Sequence, residues 1–182
     1  MIDKERPHLR LQPSRAPNLY DKLLRLLWGV VEASLFRCSP VPMHAWRCFL
    51  LRLFGADVGK GAHPYPTARI WAPWNLSLGS NSCLGPRVIC YSVAPITIES
   101  CAIVSQGAHL CAATHDHRNV AFPLVIGEIR IGEEAWVAAD AFVSPGIHIG
   151  RRAVVGARAV VTKDVVDGVV VAGNPARQIG SR

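Results

Sequence analysis

The stretch Ile131 to Val166 reads IGEEAW, VAADAF, VSPGIH, IGRRAV, VGARAV, VTKDVV when cut into blocks of six. Each block opens on a β-branched residue: Ile131, Val137, Val143, Ile149, Val155 and Val161. Four residues after each leader stands Ala135, Ala141, Ile147, Ala153, Ala159 or Val165, most of them small. Neither the period of a helix nor the alternation of a half-buried strand produces this pattern, whereas a hexapeptide period belongs to parallel β-helices. The leader points to the axis, and the residue four on fills a corner of a triangular coil. Three blocks complete one coil, and strands of neighbouring coils hydrogen-bond at a spacing of about 4.8 Å.

The period extends upstream, where Val58, Leu78 and Ile98 open three earlier coils, with two extra residues after each of the first two. Stacking the coils predicts three apolar ladders. One runs Val58, Leu78, Ile98, Ile131, Ile149; the next Pro64, Leu84, Val104, Val137, Val155; the third Ile70, Cys90, Leu110, Val143, Val161. Ala62, Ser82, Ala102, Ala135, Ala153 and Ala68, Val88, Ala108, Ala141, Ala159 form the corner ladders. A single coil cannot bury its own apolar row, so several must stack and both ends need caps.

With these repeats, and with VVGARAVVTKDV and VVVAGNPARQI near the end, the chain resembles the hexapeptide-repeat acyltransferases. That resemblance implies a left-handed parallel β-helix, a departure from the usual right-handed crossover. Within the family the likeness lies with the galactoside, maltose and nodulation-factor O-acetyltransferases, and above all with the colanic-acid-biosynthesis type. It runs from about Val58 to Val166, and the tail continues it. The fold expected is all-β, a left-handed parallel β-helix with an N-terminal α-helical segment. Residues 1–56 form a basic tail and amphipathic helical cap, and residues 57–182 the β-helix, with a loop insertion at about 114–130 and a C-terminal capping tail.

A chain of 182 residues, half of them apolar, suits one domain with an appended segment. The net charge of +7 is densest in the first fifteen residues, at Lys4, Arg6, Arg10 and Arg15. No nucleic-acid recognition motif accompanies that charge. The six cysteines show no CxxC pairing and read as reduced structural thiols of a cytoplasmic protein. No apolar run followed by a small-residue cleavage site marks a signal peptide. In LYDKLLRLLWGVVEASLF, Leu23, Leu24, Leu27, Trp28, Val31 and Leu35 share one helical face. The Cys38-Ser39-Pro40-Val41-Pro42 break ends that helix, and MHAWRCFLLRLF suggests a second. The pair reads as a cap on the first coil or a neighbouring subunit, with peripheral attachment to the inner face of a membrane as the alternative.

The period fails after Leu110, in CAATHDHRNVAFPLVIGEIR, and resumes at Ile131. Counting eighteen residues from Ile98 ends the coil at His115, leaving Asp116 to Arg130 as extra. Insertions in a solenoid project from its outside and often carry function. By the resemblance, a histidine at the start of this loop is the general base for acetyl transfer to a hydroxyl, a role suited to its pKa. His115 matches that position, followed by Asp116 where many relatives carry proline; His117 is the alternative base. The resemblance also assigns acetyl-CoA, as co-substrate, to a set of small and basic residues. Trp136 would lie near the reacting cleft, Ala139 and Ala157 along the pantetheine arm, and Thr162, Lys163, Asn174, Pro175 and Arg177 toward the nucleotide. An N–H such as that of Ala139 would hold the oxyanion. No metal is expected.

Where simple-sugar enzymes of the family place asparagine and aspartate, this chain has LGPRVICYSVAP, offering Arg87, Tyr91 and Ser92 beside Asp116 and His117. Trp71 and Trp74 are further candidates for stacking on a sugar. This departure points to a larger acceptor, such as a polysaccharide unit or its lipid-linked precursor. Family members are trimers with the cleft between adjacent prisms. Two other readings stay open. One is a zinc enzyme using His109, His115 and His117 across subunits, as in the related carbonic anhydrases; the other is a non-catalytic scaffold.

Overall fold

The computed structural model describes residues 11–14 and 18–182. The basic residues Lys4, Arg6, Arg10 and Arg15 lie outside the described residues. From Asp57 onward the chain winds as a left-handed parallel β-helix whose three faces hold five, seven and five strands among the described residues. The three ladders pair in the register that the period dictates. Val58, Leu78, Ile98, Ile131 and Ile149 stack on the first face. Pro64, Leu84, Val104, Val137 and Val155 stack on the second. Ile70, Cys90, Leu110, Val143 and Val161 stack on the third. All these leaders are buried, and on the three-residue strands of the first face Leu76, Ile96 and Ile129 are buried with them. Burial pushes the Cys90 thiol up to about 12, so it serves as an apolar filler rather than a reactive group.

The corners explain the small residue four after each leader. One position earlier, Asn81, Arg87, Cys101, Glu134, Asp140, Arg152 and Arg158 all adopt φ of 56–58°. Such left-handed residues sit third in a tight turn, and the next N–H closes it, as Ala102 N–H does onto Glu99 O at 3.2 Å. The following side chain then points into the corner, where Ala102, Ala135 and Ala153 are fully buried.

Two helices close the base of the prism. Asn18 caps α1 (Leu19–Val31) in a reciprocal capping box with Asp21. The helix runs on through a π-turn at Glu32–Phe36, and α2 (His44–Leu53) follows the Pro40–Pro42 break. A first coil has no coil beneath it, so its lower backbone groups need other partners. The helices supply them. Trp28 Nε1 donates to Ile70 O at 2.7 Å, and Glu32 accepts from Ile70 N at 2.9 Å. The fully buried Arg47 donates to Pro64 O at 2.7 Å and also to Ser39 and Pro40, while Arg52 donates to Val58 O. The apolar face read along α1 divides in the process. Trp28 is buried and Leu24 and Val31 pack on the core, but Leu23, Leu27 and Leu35 remain more than half exposed.

The excursion from the third coil is a β-hairpin. Ala113–His115 pairs antiparallel with Leu124–Ile126, and Gln12–Pro13 adds a third strand. Ile129 and Arg130 already pair with Ile96 and Thr97, so the residues outside the coil run from Ala113 to about Glu128. Strands on the first face are three residues long at Leu76–Leu78 and Ile96–Ile98, which is why the two residues before Ile131 belong to the coil. At the top, Val169–Ala172 adds a sixth rung to the second face and folds back on Arg177–Ser181.

Candidate active site

The hairpin leaves the prism at the corner between its third and first faces and carries His115 at the end of its first strand. His115 Nδ1 lies 2.8 Å from Phe122 O, and its ring stacks on Phe122 at 4.5 Å with planes 7° apart. A carbonyl oxygen only accepts, so Nδ1 carries the proton in this contact and Nε2 holds the lone pair. Phe122 adopts φ 46°, and Asn119 closes the hairpin tip by accepting from Phe122 N at 2.8 Å. The loop therefore fixes both the tautomer and the plane of the imidazole. Asp116 Oδ1 accepts from Arg118 N at 3.0 Å, which occupies one of its oxygens in the turn. His117 is exposed.

Below the hairpin, the outer surface of the third face and the end of α1 enclose a cavity of about 530 Å³. Trp71, Tyr91 and Cys111 form one wall, one residue beyond the stacked leaders Ile70, Cys90 and Leu110, and Arg69, His109 and Glu32 complete it. Trp71 meets Tyr91 edge-on at 5.1 Å, and the Arg25 guanidinium covers the Trp71 ring at 3.3 Å from its centroid. Burial lowers the pKa of His109, whose ring packs edge-on against Phe142. Burial raises that of Glu32, against the opposing pull of the Ile70 N–H, Arg37 and Arg69. Neither Arg87 nor Trp74 lines the cavity. Ser92 is fully buried, and its hydroxyl both accepts from Ala72 N and donates to Ala72 O at 3.0 Å, a structural clasp between coils.

The other singled-out residues occupy two edges of the prism. Arg87, Ala139 and Ala157 stand on the corner between the second and third faces, beside the outward-facing Trp136. Trp136 is 45% exposed, and its Nε1 donates to Ser105 Oγ at 2.9 Å. The Gly173–Ala176 turn lies on this same edge, held by Val160 N–H donating to Gly173 O and Ala176 N–H donating to Val160 O. Asn174 and Pro175 are thus exposed at the top of the edge, followed by Arg177. Tyr91, His115, Asp116, His117, Thr162 and Lys163 belong instead to the corner between the third and first faces. One protomer therefore does not gather the whole set. Nor does it bring His109, His115 and His117 together: among the described residues, no three His, Cys, Asp or Glu side chains are grouped as metal ligands. Sequence reasoning did not single out Arg69 or Glu32 as lining residues, nor Arg25, which covers the Trp71 ring; the positions of Arg25 and Glu32 depend on where α1 crosses the base.

The chain is thus a capped hexapeptide solenoid with one histidine-bearing excursion, and its relatives show the class of protein to which that architecture belongs. No protein-family model matches the chain. An Escherichia coli (strain K12) protein that carries the name colanic acid biosynthesis acetyltransferase WcaF is 44% identical over 156 residues, 86% of each chain. The crystal structure of a maltose O-acetyltransferase from Clostridium difficile 630 superposes with a TM-score of 0.78 at 26% identity, over 89% of each chain. A hexapeptide-repeat acetyltransferase from Vibrio cholerae O1 biovar eltor, solved in complex with acetyl coenzyme A, gives 0.81 at 24% identity, over 92% of this chain and 91% of that one. The chain belongs to the hexapeptide-repeat acetyltransferases, in the group of the colanic acid biosynthesis type. It is an acyltransferase.

Proposed function

We propose that this protein transfers an acetyl group from acetyl-CoA to a sugar hydroxyl of a surface polysaccharide or of its lipid-linked precursor, with His115 as general base. The observation that carries the reading is the anchored imidazole: Nδ1 is held on Phe122 O at 2.8 Å, and Nε2 is left to accept a proton. His115 Nε2 takes the hydroxyl proton as the sugar oxygen attacks the thioester carbonyl. The imidazolium, steadied through Nδ1–H, then returns that proton to the departing coenzyme sulfur. The corner N–H of Ala139 is suited to hold the oxyanion between these steps. Direct transfer needs no nucleophilic serine or cysteine.

Ala139 and Ala157 keep one edge of the prism low, which suits an extended pantetheine arm, with Arg177 at its upper end for phosphate. His115 and Lys163 occupy the other edge. Juxtaposing the two edges requires a second prism beside the first, and this geometry supports a trimer with the site between subunits. Acceptor binding is assigned to the third-face cavity, where Tyr91 and Trp71 offer aromatic surface to a sugar ring. Arg25 and Arg69 suit an acceptor that carries negative charge, as a glycosyl phosphate on a lipid carrier does. That acceptor sets the workplace as the cytoplasmic side of the membrane.

The test is His115→Ala. Its kcat is expected to fall by roughly 10²–10⁴-fold, with acetyl-CoA affinity by calorimetry unchanged, whereas Arg177→Ala weakens that affinity. A His115→Ala enzyme of undiminished kcat overturns the assignment of the base.

A further inference from the structure

Helix α1 is apolar over most of its circumference, and only part of that surface is used within the protomer. At about 100° per residue, Leu24, Trp28 and Val31 fall on the side that packs against the solenoid base. Leu19, Leu23, Leu26 and Val30 fall on the far side and Tyr20 and Leu27 on the flank between, each between 56% and 72% exposed. A polar strip with Lys22, Arg25 and Gly29 interrupts this apolar surface on one side only. On α2, Phe49 and Leu53 are exposed one turn apart, and Phe49 stacks on Trp46 at 5.8 Å. A helix apolar on both sides is ordinarily a buried one, and a contiguous exposed apolar surface of this kind marks a contact site.

Charge identifies the partner. Residues 1–56 contain nine of the chain's twenty Lys and Arg but only four of its thirteen Asp and Glu, so most of the +7 excess lies in this segment of the sequence, although Arg47 is buried and Arg25 and Arg52 are engaged on Trp71 and Val58 O. Lys22 and Arg37 are exposed on the helical segment itself. We propose that the base of the prism is a docking face for an anionic phospholipid bilayer, with α1 and α2 lying in the plane of the interface. Apolar side chains enter the acyl boundary while the cations meet the headgroups. A second copy of this chain fits the same face less well, because it would bring like charge against like charge. Spanning is excluded for the described helices, since none is long and apolar enough to cross a membrane. The thirteen residues of α1 extend only about 20 Å, against a hydrocarbon core of about 30 Å.

The orientation follows from the fold. The helices close the bottom coil, so docking stands the solenoid away from the lipid with the Gly173–Arg177 turn at its far end. The third-face cavity, which Glu32 helps to line, then opens close to the membrane surface. A lipid-carried sugar would reach it from that side. This consequence rests on the acceptor reading above; the docking itself does not.

The experiment is co-sedimentation of the full-length protein with phosphatidylcholine vesicles and with vesicles containing about a third phosphatidylglycerol. The expected result is binding to the anionic vesicles that weakens with added salt. The double variant Leu26→Glu/Val30→Glu is expected to weaken it more than about tenfold, with thermal midpoint and mass by light scattering unchanged. Phe49→Glu, on the other helix, should weaken it less. Three results overturn the proposal: wild-type protein that stays in the supernatant, glutamate variants that bind as well as wild type, and variants whose assembly loses mass. The last would assign the stripe to contact between subunits. Because the readout is binding rather than turnover, a failure here leaves the catalytic reading standing, and an inactive His115→Ala enzyme leaves this one untouched.

Discussion

The interior of the solenoid and its base face the same physical demand with different means. In the interior, the strand N–H and C=O groups pair with the neighbouring coil while the corners close their own turns, and every leader rests on the leader below. The sequence needs only to repeat an apolar residue every sixth position. At the base that neighbour is missing, and the vacancy is filled by side chains that obey no period: Trp28 and Glu32 on Ile70, Arg47 on Pro64, Arg52 on Val58. A repeat thus propagates by pattern but terminates by individual residues, each of which must be long and polar enough to reach a particular backbone atom.

The comparison can be broken or sharpened by mutation. The largest stability loss is expected in the interior, where Leu110→Ala leaves a cavity between rungs that hydrogen bonds hold apart. A cost of about 3–4 kcal/mol, read from urea unfolding, would show that neighbouring coils do not collapse into the gap. At the base, Arg47→Met keeps bulk but strips partners from Pro64 O, Pro40 O and Ser39. We expect about 2–3 kcal/mol by the same measurement. A near-zero cost there would mean that water replaces the guanidinium and that the base needs no dedicated cap. The smallest effect concerns pH. Burial raises the Glu32 pKa in the folded protein, so the protonated form is favoured by folding. Its contribution is full below the unfolded carboxyl pKa of about 4.3 and is lost as pH rises through the folded value. Glu32→Gln keeps an acceptor for Ile70 N–H and should remove that loss. Thermal midpoints of the two proteins are expected to converge in acid and to separate slightly, in favour of the variant, toward neutrality.

Legibility followed the same division. The ladders were readable because a leader's burial depends on its phase in the period and on nothing else. The excursion was readable as a place where the period stops, yet its residues were not: the three-residue strands on the first face already claim Ile129 and Arg130. The corners were readable from the small residue that follows them. Their left-handed backbone was hidden, because Arg87, Glu134 and Arg158 carry none of the glycine or asparagine signal that such a conformation usually shows. His115 could be singled out by position and resemblance. The hydrogen bond that orients it comes from Phe122, across a hairpin whose register only folding establishes.

The sequence by itself determined the winding of the coil, the identity of its interior and the point at which the winding is interrupted, since each depends on a local period of apolar side chains. Tertiary structure alone decided that Arg47 closes the base, that α1 leaves much of its apolar surface facing outward, and that Ala139 and Ala157 stand on a different edge of one prism from His115. These facts depend on which elements cross in space, and a repeat of six carries no information about what lies beyond its own last coil.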